Sequence, residues 1–152
     1  MGDNADLIKL YSGRILALAA EIPHLERLED PRASVKRRSP LCGSTVSVDL
    51  DMEGGRVTRF GQDVKACALG QAAAAILGGA VIGRSADELR AARDQLRAML
   101  VEEGPVPDAP FEGFEVLLPA RGYRNRHASI MLAIEAAVEA AAQCEQARAG
   151  VT

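Results

Sequence analysis

Apolar side chains change their spacing along the chain, and each change marks a different kind of secondary structure. Between residues 4 and 20 the apolar positions stand three and four residues apart, which places them on one face of a helix. These positions are Leu7, Ile8, Tyr11, Ile15, Leu18 and Ala19. From residue 44 to residue 52 apolar and polar side chains alternate, which predicts a half-buried strand. Its apolar set is Val46, Val48, Leu50 and Met52.

A hairpin turn is predicted directly after this strand, at residues 53–55. Two of these three residues are glycines, which adopt a positive φ at little cost. The returning segment, residues 56–66, predicts a second strand with Val57 and Phe60 turned inward. Its alternation is imperfect, so we expect a bulge or a break near Gly61.

The second half of the chain has the pattern of successive helices. A helix of small residues is expected after Cys67 and should end near Gly83. The glycine pair at 78–79 inside it is expected to permit close packing with a neighbour. Ser85 and Glu88 then form a capping box, which predicts the start of a helix of roughly 16 residues.

Residues 102–114 predict a loop, since they contain three prolines and two glycines. A last helix is expected from Arg124 to about Ala147. A hairpin accompanied by several helices predicts an α+β fold, with residues 1–152 in a single domain. We expect a small antiparallel β-sheet of about three strands with helices packed on one face.

Charge and hydropathy limit the classes of function. The net charge is −3 and the pI is about 5.4, so the overall charge does not favour nucleic-acid binding. No basic leader precedes an apolar stretch, and the apolar runs are too short to span a membrane. A cytoplasmic location is therefore the default expectation.

One basic cluster departs from this acidic average, at Arg32, Lys36, Arg37 and Arg38. Short charge runs are usually solvated loops, and this is one interpretation of the cluster. The alternative is a patch that docks an acidic partner through Lys36, Arg37 and Arg38.

The chain has three cysteines, and in a reducing compartment they are not expected to form disulfides. Cys42 precedes the first predicted strand, and Cys67 begins the small-residue helix. A hairpin returns the chain to its starting edge, so the two thiols can meet in the fold. The positive end of a helix favours a thiolate at Cys67, the form that binds metal or attacks sulfur. The alternative is that both cysteines are small buried hydrophobic side chains.

His127 is a candidate third ligand, since it stands at the beginning of the last helix. The alternative is a histidine at the start of the helix that binds no metal, with its ring either exposed or hydrogen-bonded. Cys144 lies 17 residues further on, or roughly 25 Å along a continuous helix, so it is expected to pack rather than ligate. His24 has no partner motif, and we assign it no role.

Residues 39–89 resemble the core of the IscU/SufU (NifU N-terminal) family. The motif begins with Pro40-Leu41-Cys42-Gly43, continues with the hairpin, and resumes at residues 66–71 and at residues 83–85. The place where the family carries a third cysteine is matched by residues 121–132. The resemblance covers roughly residues 5 to 145, and the length between Cys67 and His127 is similar to that of SufU.

The resemblance implies a non-enzymatic scaffold for iron–sulfur cluster assembly, or a sulfur acceptor. It implies a transient iron–sulfur cluster or iron held at Cys42 and Cys67 with help from His127, sulfur delivered by a cysteine desulfurase, and recipient apo-proteins. Three features depart from the family pattern. Its aspartate is replaced by Ser44, and either His127 or Ala128 stands at its third cysteine. Phe60 also lies two residues further from Cys67 than the pattern expects.

These departures leave three hypotheses. The first is the scaffold or sulfur acceptor. The second is a zinc-bound sulfurtransfer partner of a cysteine desulfurase, since two cysteines, a histidine and an open position suit zinc. The third is an interaction module that holds no metal and keeps only the docking surface.

Overall fold

The computed structural model describes residues 12–40 and 43–150, except for the side chains of residues 148–150. Its elements in chain order are α1 (Gly13–Ala20), β1 (Ala33–Arg38), β2 (Thr45–Glu53), β3 (Arg56–Lys65), α2 (Ala68–Ala80), α3 (Ala86–Val101), a 3₁₀ segment (Glu112–Gly122) and α4 (Arg124–Gly150). The predicted first helix is confirmed over Gly13–Ala20, and its part before residue 12 lies outside the described residues.

The three strands form one antiparallel sheet in the order β1-β2-β3, which confirms the predicted α+β fold. Val46, Val48 and Leu50 of β2 are fully buried on the face over which α4 packs. The helix α4 also packs against α2 and α3, so the helices lie together on this face of the sheet.

The loop interpretation of the basic cluster is wrong for three of its four residues, whereas Arg32 lies in the bend before β1. Lys36, Arg37 and Arg38 belong to strand β1, which pairs with β2 from Ala33 to Arg38. The sequence signal for this strand was weak because its apolar alternation is short: of its six residues, Ala33 and Val35 are the buried apolar ones. Pairing with β2 therefore decides the strand.

The bulge lies elsewhere than expected. The register of β2 and β3 shifts between Asp51 and Met52, so that Thr58 is the extra residue, whereas Gly61 pairs regularly with Asp49. The requirement for glycine at position 61 has a different cause. A Cβ at this position would overlap the carbonyl oxygen of Glu26, because the segment 26–28 crosses the sheet there. A glycine in a strand often marks such a close approach of backbone.

Gly61 lets the crossing segment reach a buried carboxylate on β2. Asp49 has no solvent exposure, and its oxygens accept hydrogen bonds from Arg27 Nε at 2.7 Å and Arg27 Nη2 at 3.0 Å. The backbone N–H of Leu28 at 3.0 Å and the hydroxyl of Ser34 at 2.7 Å donate the others. Burial by itself would raise the pKa of Asp49, but these hydrogen bonds and the Arg27 charge lower it below its usual value.

We expect Asp49→Asn to reduce stability by about 2 kcal/mol at neutral pH, because it removes charged hydrogen-bond acceptors. A lowered folded-state pKa stabilises the fold above the unfolded-state pKa, near 3.9, and this contribution is lost as the pH falls through the folded value. Urea unfolding at pH 7, 4 and 3 measures both effects.

The wild type should lose more stability than Asp49→Asn as the pH falls through this range. Asp94→Asn is the control, since the side chain of Asp94 is 64% exposed and should leave the wild-type dependence unchanged. Parallel pH dependences of wild type and Asp49→Asn would contradict the assignment.

The helical half of the chain agrees with its sequence signals at most positions. The capping box of Ser85 and Glu88 is present and begins α3. The small-residue helix ends at Ala80, and Gly83 follows in the turn with a φ of 88°. A Cβ on Gly78 would lie 3.0 Å from Gln62 Nε2, which confirms the expected close packing at this glycine, whereas a Cβ on Gly79 would meet nothing within 4 Å.

Two features after α3 refine the prediction. The expected loop over residues 102–114 is irregular only up to Phe111, because the 3₁₀ segment begins at Glu112. The last helix begins at Arg124 as predicted and continues to Gly150, slightly beyond the expected end. Cys144 in this helix is 8% exposed and packs in the core, and burial raises the pKa of its thiol.

Candidate metal and sulfur site

The site begins at the loop between β1 and β2, which carries Cys42. Leu41 and Cys42 themselves lie outside the described residues. On either side of them the loop is closed by two backbone hydrogen bonds: Ser39 N–H donates to Ser44 O at 2.8 Å, and Gly43 N–H donates to Ser39 O at 3.1 Å. Gly43 has a φ of 71°, a conformation that glycine adopts at low cost.

Cys67 lies where β3 passes into α2, and it is the N-cap residue of that helix, as its place in the sequence predicts. Its side chain does not cap the helix. The sulfur instead lies 3.5 Å from the hydroxyl oxygen of Ser129 on α4. Cys67 as a whole residue is partly exposed, unlike Cys144, which is buried.

Ser129 joins Cys67 to the loop that carries Cys42. Ser129 Oγ lies 3.3 Å from Ser44 Oγ. The Ser129 hydroxyl therefore stands between Ser44 and the Cys67 sulfur and contacts both. Ser129 is 2% exposed and Ser44 is 6% exposed. Sequence reasoning missed Ser129, because a serine two residues after a histidine has no distinctive spacing.

A missing side chain on α2 makes room for this contact. A Cβ on Gly70 would lie 2.6 Å from Ser129 Oγ and 2.8 Å from Ala66 Cβ. Glycine at position 70 therefore allows α2 and α4 to approach closely beside Cys67. The small residues of the helix were visible in the sequence, but the partner that needs the space was not.

His127 lies at the start of α4 and is buried. Its ring Nε2 is 2.9 Å from the carbonyl oxygen of Ala120. Because a carbonyl only accepts, Nε2 carries the hydrogen, and in the neutral ring the lone pair is then on Nδ1. This contact satisfies one ring nitrogen, and it is also the arrangement in which a metal-binding histidine donates its second N–H to the backbone.

Among the residues that the structure describes, no three His, Cys, Asp or Glu side chains gather so as to hold a metal ion. The predicted ligand set of Cys42, Cys67 and His127 includes a residue outside that part of the chain, so it stays a prediction. What the described residues place together is the thiol of a partly exposed cysteine and two buried hydroxyls, without a carboxylate in the hydrogen-bonded group.

One cation of the basic strand β1 is paired with carboxylates of α4, although 40% of its side chain is exposed. Arg37 forms ion pairs with Glu139 at 3.2 Å and Glu135 at 3.8 Å on α4. Lys36 and Arg38 are exposed on the same strand. In the docking patch predicted at these three residues, Lys36 and Arg38 are therefore the more exposed cations, and docking itself stays a prediction.

No helix in residues 12–40 and 43–150 combines the length and apolar character needed to cross a membrane.

Comparison with known proteins identifies similar solved structures. No family model and no curated protein matches the chain. The crystal structure of a nitrogen-fixing NifU-like protein (N-terminal) from Brucella abortus is 43% identical in sequence, with a TM-score of 0.90. The match covers 93% of this chain and 98% of that one.

Two more distant structures share the fold. A putative iron–sulfur cluster assembly scaffold protein for the SUF system from Fervidobacterium islandicum is 16% identical, with a TM-score of 0.76, over 87% of this chain and 96% of that chain. A hypothetical protein is 22% identical, with a TM-score of 0.75, over 88% of this chain and 98% of that chain.

Proposed function

Because the chain belongs to the NifU N-terminal (IscU/SufU) family, we propose that it is an iron–sulfur cluster assembly scaffold or sulfur acceptor. The observation that carries this proposal is the 43% identity to the Brucella protein over 93% of the chain. Its role is that of a carrier, since a scaffold receives iron and sulfur and passes them on. A cysteine desulfurase is the proposed sulfur donor, and apo-proteins are the proposed recipients.

The geometry around Cys67 supports a site at this place. The Ser129 hydroxyl contacts both Ser44 and the Cys67 sulfur, and Cys42 is two residues before Ser44 in the chain. Two residues of extended chain span at most about 7 Å, and this short separation in the chain supports the proposal that Cys42 acts at the same site. Cys42 and Cys67 are therefore the proposed ligands and sulfur acceptors.

The sulfur chemistry needs only a thiolate. The thiolate of Cys42 or Cys67 attacks the outer sulfur of a persulfide on the desulfurase. A sulfur–sulfur bond forms on this chain while the bond in the donor breaks, and the donor cysteine leaves as a thiolate. Nothing is oxidised or reduced overall, because one persulfide is exchanged for another. The partial exposure of Cys67 as a whole residue supports this proposal.

The altered ligand set favours brief retention of the cargo. Soft thiolates suit iron–sulfur clusters best, and this chain offers two of them with a neutral serine at position 44. Fewer anionic donors weaken the hold on a cation, and transfer to a recipient requires release. We propose that the cluster is bound transiently at Cys42 and Cys67, with His127 as the third donor.

A zinc-bound sulfurtransfer partner is the second candidate, and the His127 contact favours it. With Nε2 donating to the carbonyl of Ala120, the lone pair of a neutral ring is on Nδ1, the form that a metal needs. Two cysteines, this histidine and an open position form a ligand set that zinc accepts. Zinc would lower the pKa of a bound water or thiol, and the protein ligands would hold the zinc in place.

Metal and sulfide analysis distinguishes the candidates. Freshly purified protein is analysed for zinc and iron, and is then reconstituted anaerobically with iron and sulfide. A coloured product that contains both iron and sulfide supports the scaffold. A colourless protein with one zinc per chain, unable to exchange it for a cluster, supports the zinc-bound partner. Absence of metal before and after reconstitution contradicts both the cluster scaffold and the zinc-bound partner, and leaves a sulfur acceptor without metal or the interaction module.

A further inference from the structure

The contact between Ser129 and the Cys67 sulfur assigns a role to a residue outside the predicted ligand set. We propose that Ser129 is a positioning residue, whose hydroxyl holds the Cys67 sulfur in one orientation at the site. This inference rests on the proposed function for its purpose, but its geometry is independent of any bound metal. Ser44 supports Ser129 from the loop that carries Cys42.

Ser129 is itself held in place. It is 2% exposed, it lies on α4, and its Oγ occupies space that Gly70 leaves open on α2. Three separate segments therefore meet at one hydroxyl: the end of the β1–β2 loop, the beginning of α2, and the early part of α4. A buried hydroxyl fixed by its surroundings can restrict the side chain that it contacts.

The hydroxyl can keep this contact whether the sulfur donates or accepts. Ser129 has one hydrogen and two acceptor positions. In the thiol form, the S–H of Cys67 donates to Ser129 Oγ, and the Ser129 hydroxyl donates to Ser44 Oγ at 3.3 Å. When the sulfur is a metal ligand it can only accept, and the Ser129 hydroxyl turns towards it. The same oxygen therefore orients Cys67 before and after the cargo binds.

The side-chain rotamer of Cys67 tests the positioning directly. Three-bond NMR couplings report the χ1 populations in protein labelled at cysteine. Wild type should show one dominant rotamer, and Ser129→Ala should reduce the ratio of major to minor rotamer by about 2- to 10-fold. Ser129→Thr keeps the hydroxyl and should restore the dominant rotamer.

Ser47→Ala is the matched control. Ser47 is a buried serine, 7% exposed, on the β2 face opposite the helices. Its replacement by alanine removes a hydroxyl, as Ser129→Ala does. The control should leave the couplings of Cys67 unchanged. An unchanged rotamer in Ser129→Ala, or equal loss in the control, would overturn the proposal.

Cobalt separates this inference from the proposed function. Co²⁺ added alone gives a sulfur-to-metal charge-transfer band when thiolates bind it. Removal of a hydrogen bond to sulfur raises the energy of the sulfur electrons, so Ser129→Ala should move the band to lower energy and weaken Co²⁺ affinity by about 10-fold.

If wild type gives no such band while Ser129→Ala still disturbs the rotamer, the metal site of the proposed function fails and the positioning role stands. If wild type binds Co²⁺ through sulfur and Ser129→Ala changes neither the band nor the rotamer, the function stands and this inference fails.

Discussion

Replacing either Cys42 or Cys67 by serine is expected to abolish the retention of iron and sulfide after anaerobic reconstitution. The predicted site has two thiolates and one imidazole, so each substitution removes half of its soft anionic donors. A serine hydroxyl is a poor ligand for iron–sulfur clusters, which are held by thiolates. Iron and sulfide that remain after desalting measure the effect.

The control for this experiment is the third cysteine. Cys144 is 8% exposed and packs in the core, and its position far along α4 keeps it from the predicted ligand set. Cys144→Ser should therefore retain as much iron and sulfide as wild type. If Cys42→Ser retained the wild-type amount, the assignment of the site would be wrong.

Sulfur transfer and metal retention separate in these variants. An acceptor needs one thiolate for attack, whereas a cluster needs several ligands at once. A single variant that has lost its cluster can thus still accept sulfur from a desulfurase at the remaining cysteine. The double Cys42→Ser, Cys67→Ser variant should accept none, and radiolabelled sulfur on the chain would show the difference.

The second large effect is expected from Gly61→Ala, which should lower the free energy of unfolding by about 3 kcal/mol. The new Cβ would overlap the carbonyl oxygen of Glu26 and would lie 3.1 Å from Leu28 Cγ. Backbone cannot rotate away as a flexible side chain can. The segment 26–28 must therefore move, and the hydrogen bond from Leu28 N–H to the buried carboxylate of Asp49 is lost with it.

Urea unfolding of wild type and Gly61→Ala measures this loss. Gly79→Ala is the control, because a Cβ on Gly79 in α2 meets nothing within 4 Å. Alanine is favoured over glycine in a helix by roughly 0.5–1 kcal/mol, so the control should be as stable as wild type or more stable. A Gly61→Ala protein within about 0.5 kcal/mol of wild type would show that the crossing segment yields easily.

The features that could be predicted are those in which neighbouring residues carry the whole signal. The alternation over residues 44–52 and the glycines of the turn identify the β2–β3 hairpin, because strand faces and turn angles depend on a few adjacent residues. Ser85 and Glu88 likewise identify the start of α3, since a capping box closes within one helical turn. The position of Cys67 at the start of α2 was visible for a related reason, whereas its meeting with Cys42 stays a prediction.

The features that could not be predicted depend on residues far apart in the chain. Strand β1 exists because β2 pairs with it, and Gly61 is required because Glu26 passes over it. The contact of Ser129 with Cys67 joins residues 62 positions apart, and it needs the space left by Gly70 on a different helix.

By itself, then, the sequence determined the β2–β3 hairpin, the starts of the helices α3 and α4 and the place of Cys67 at the start of α2, because local spacing and backbone preference are properties of adjacent residues. Only the tertiary structure decided that a hydroxyl from α4 would hold the Cys67 sulfur and that a carboxylate at position 49 would be buried. Close packing brings these groups together from different elements of the fold. A hydrogen bond between them depends on the distance between donor and acceptor, which no local pattern encodes.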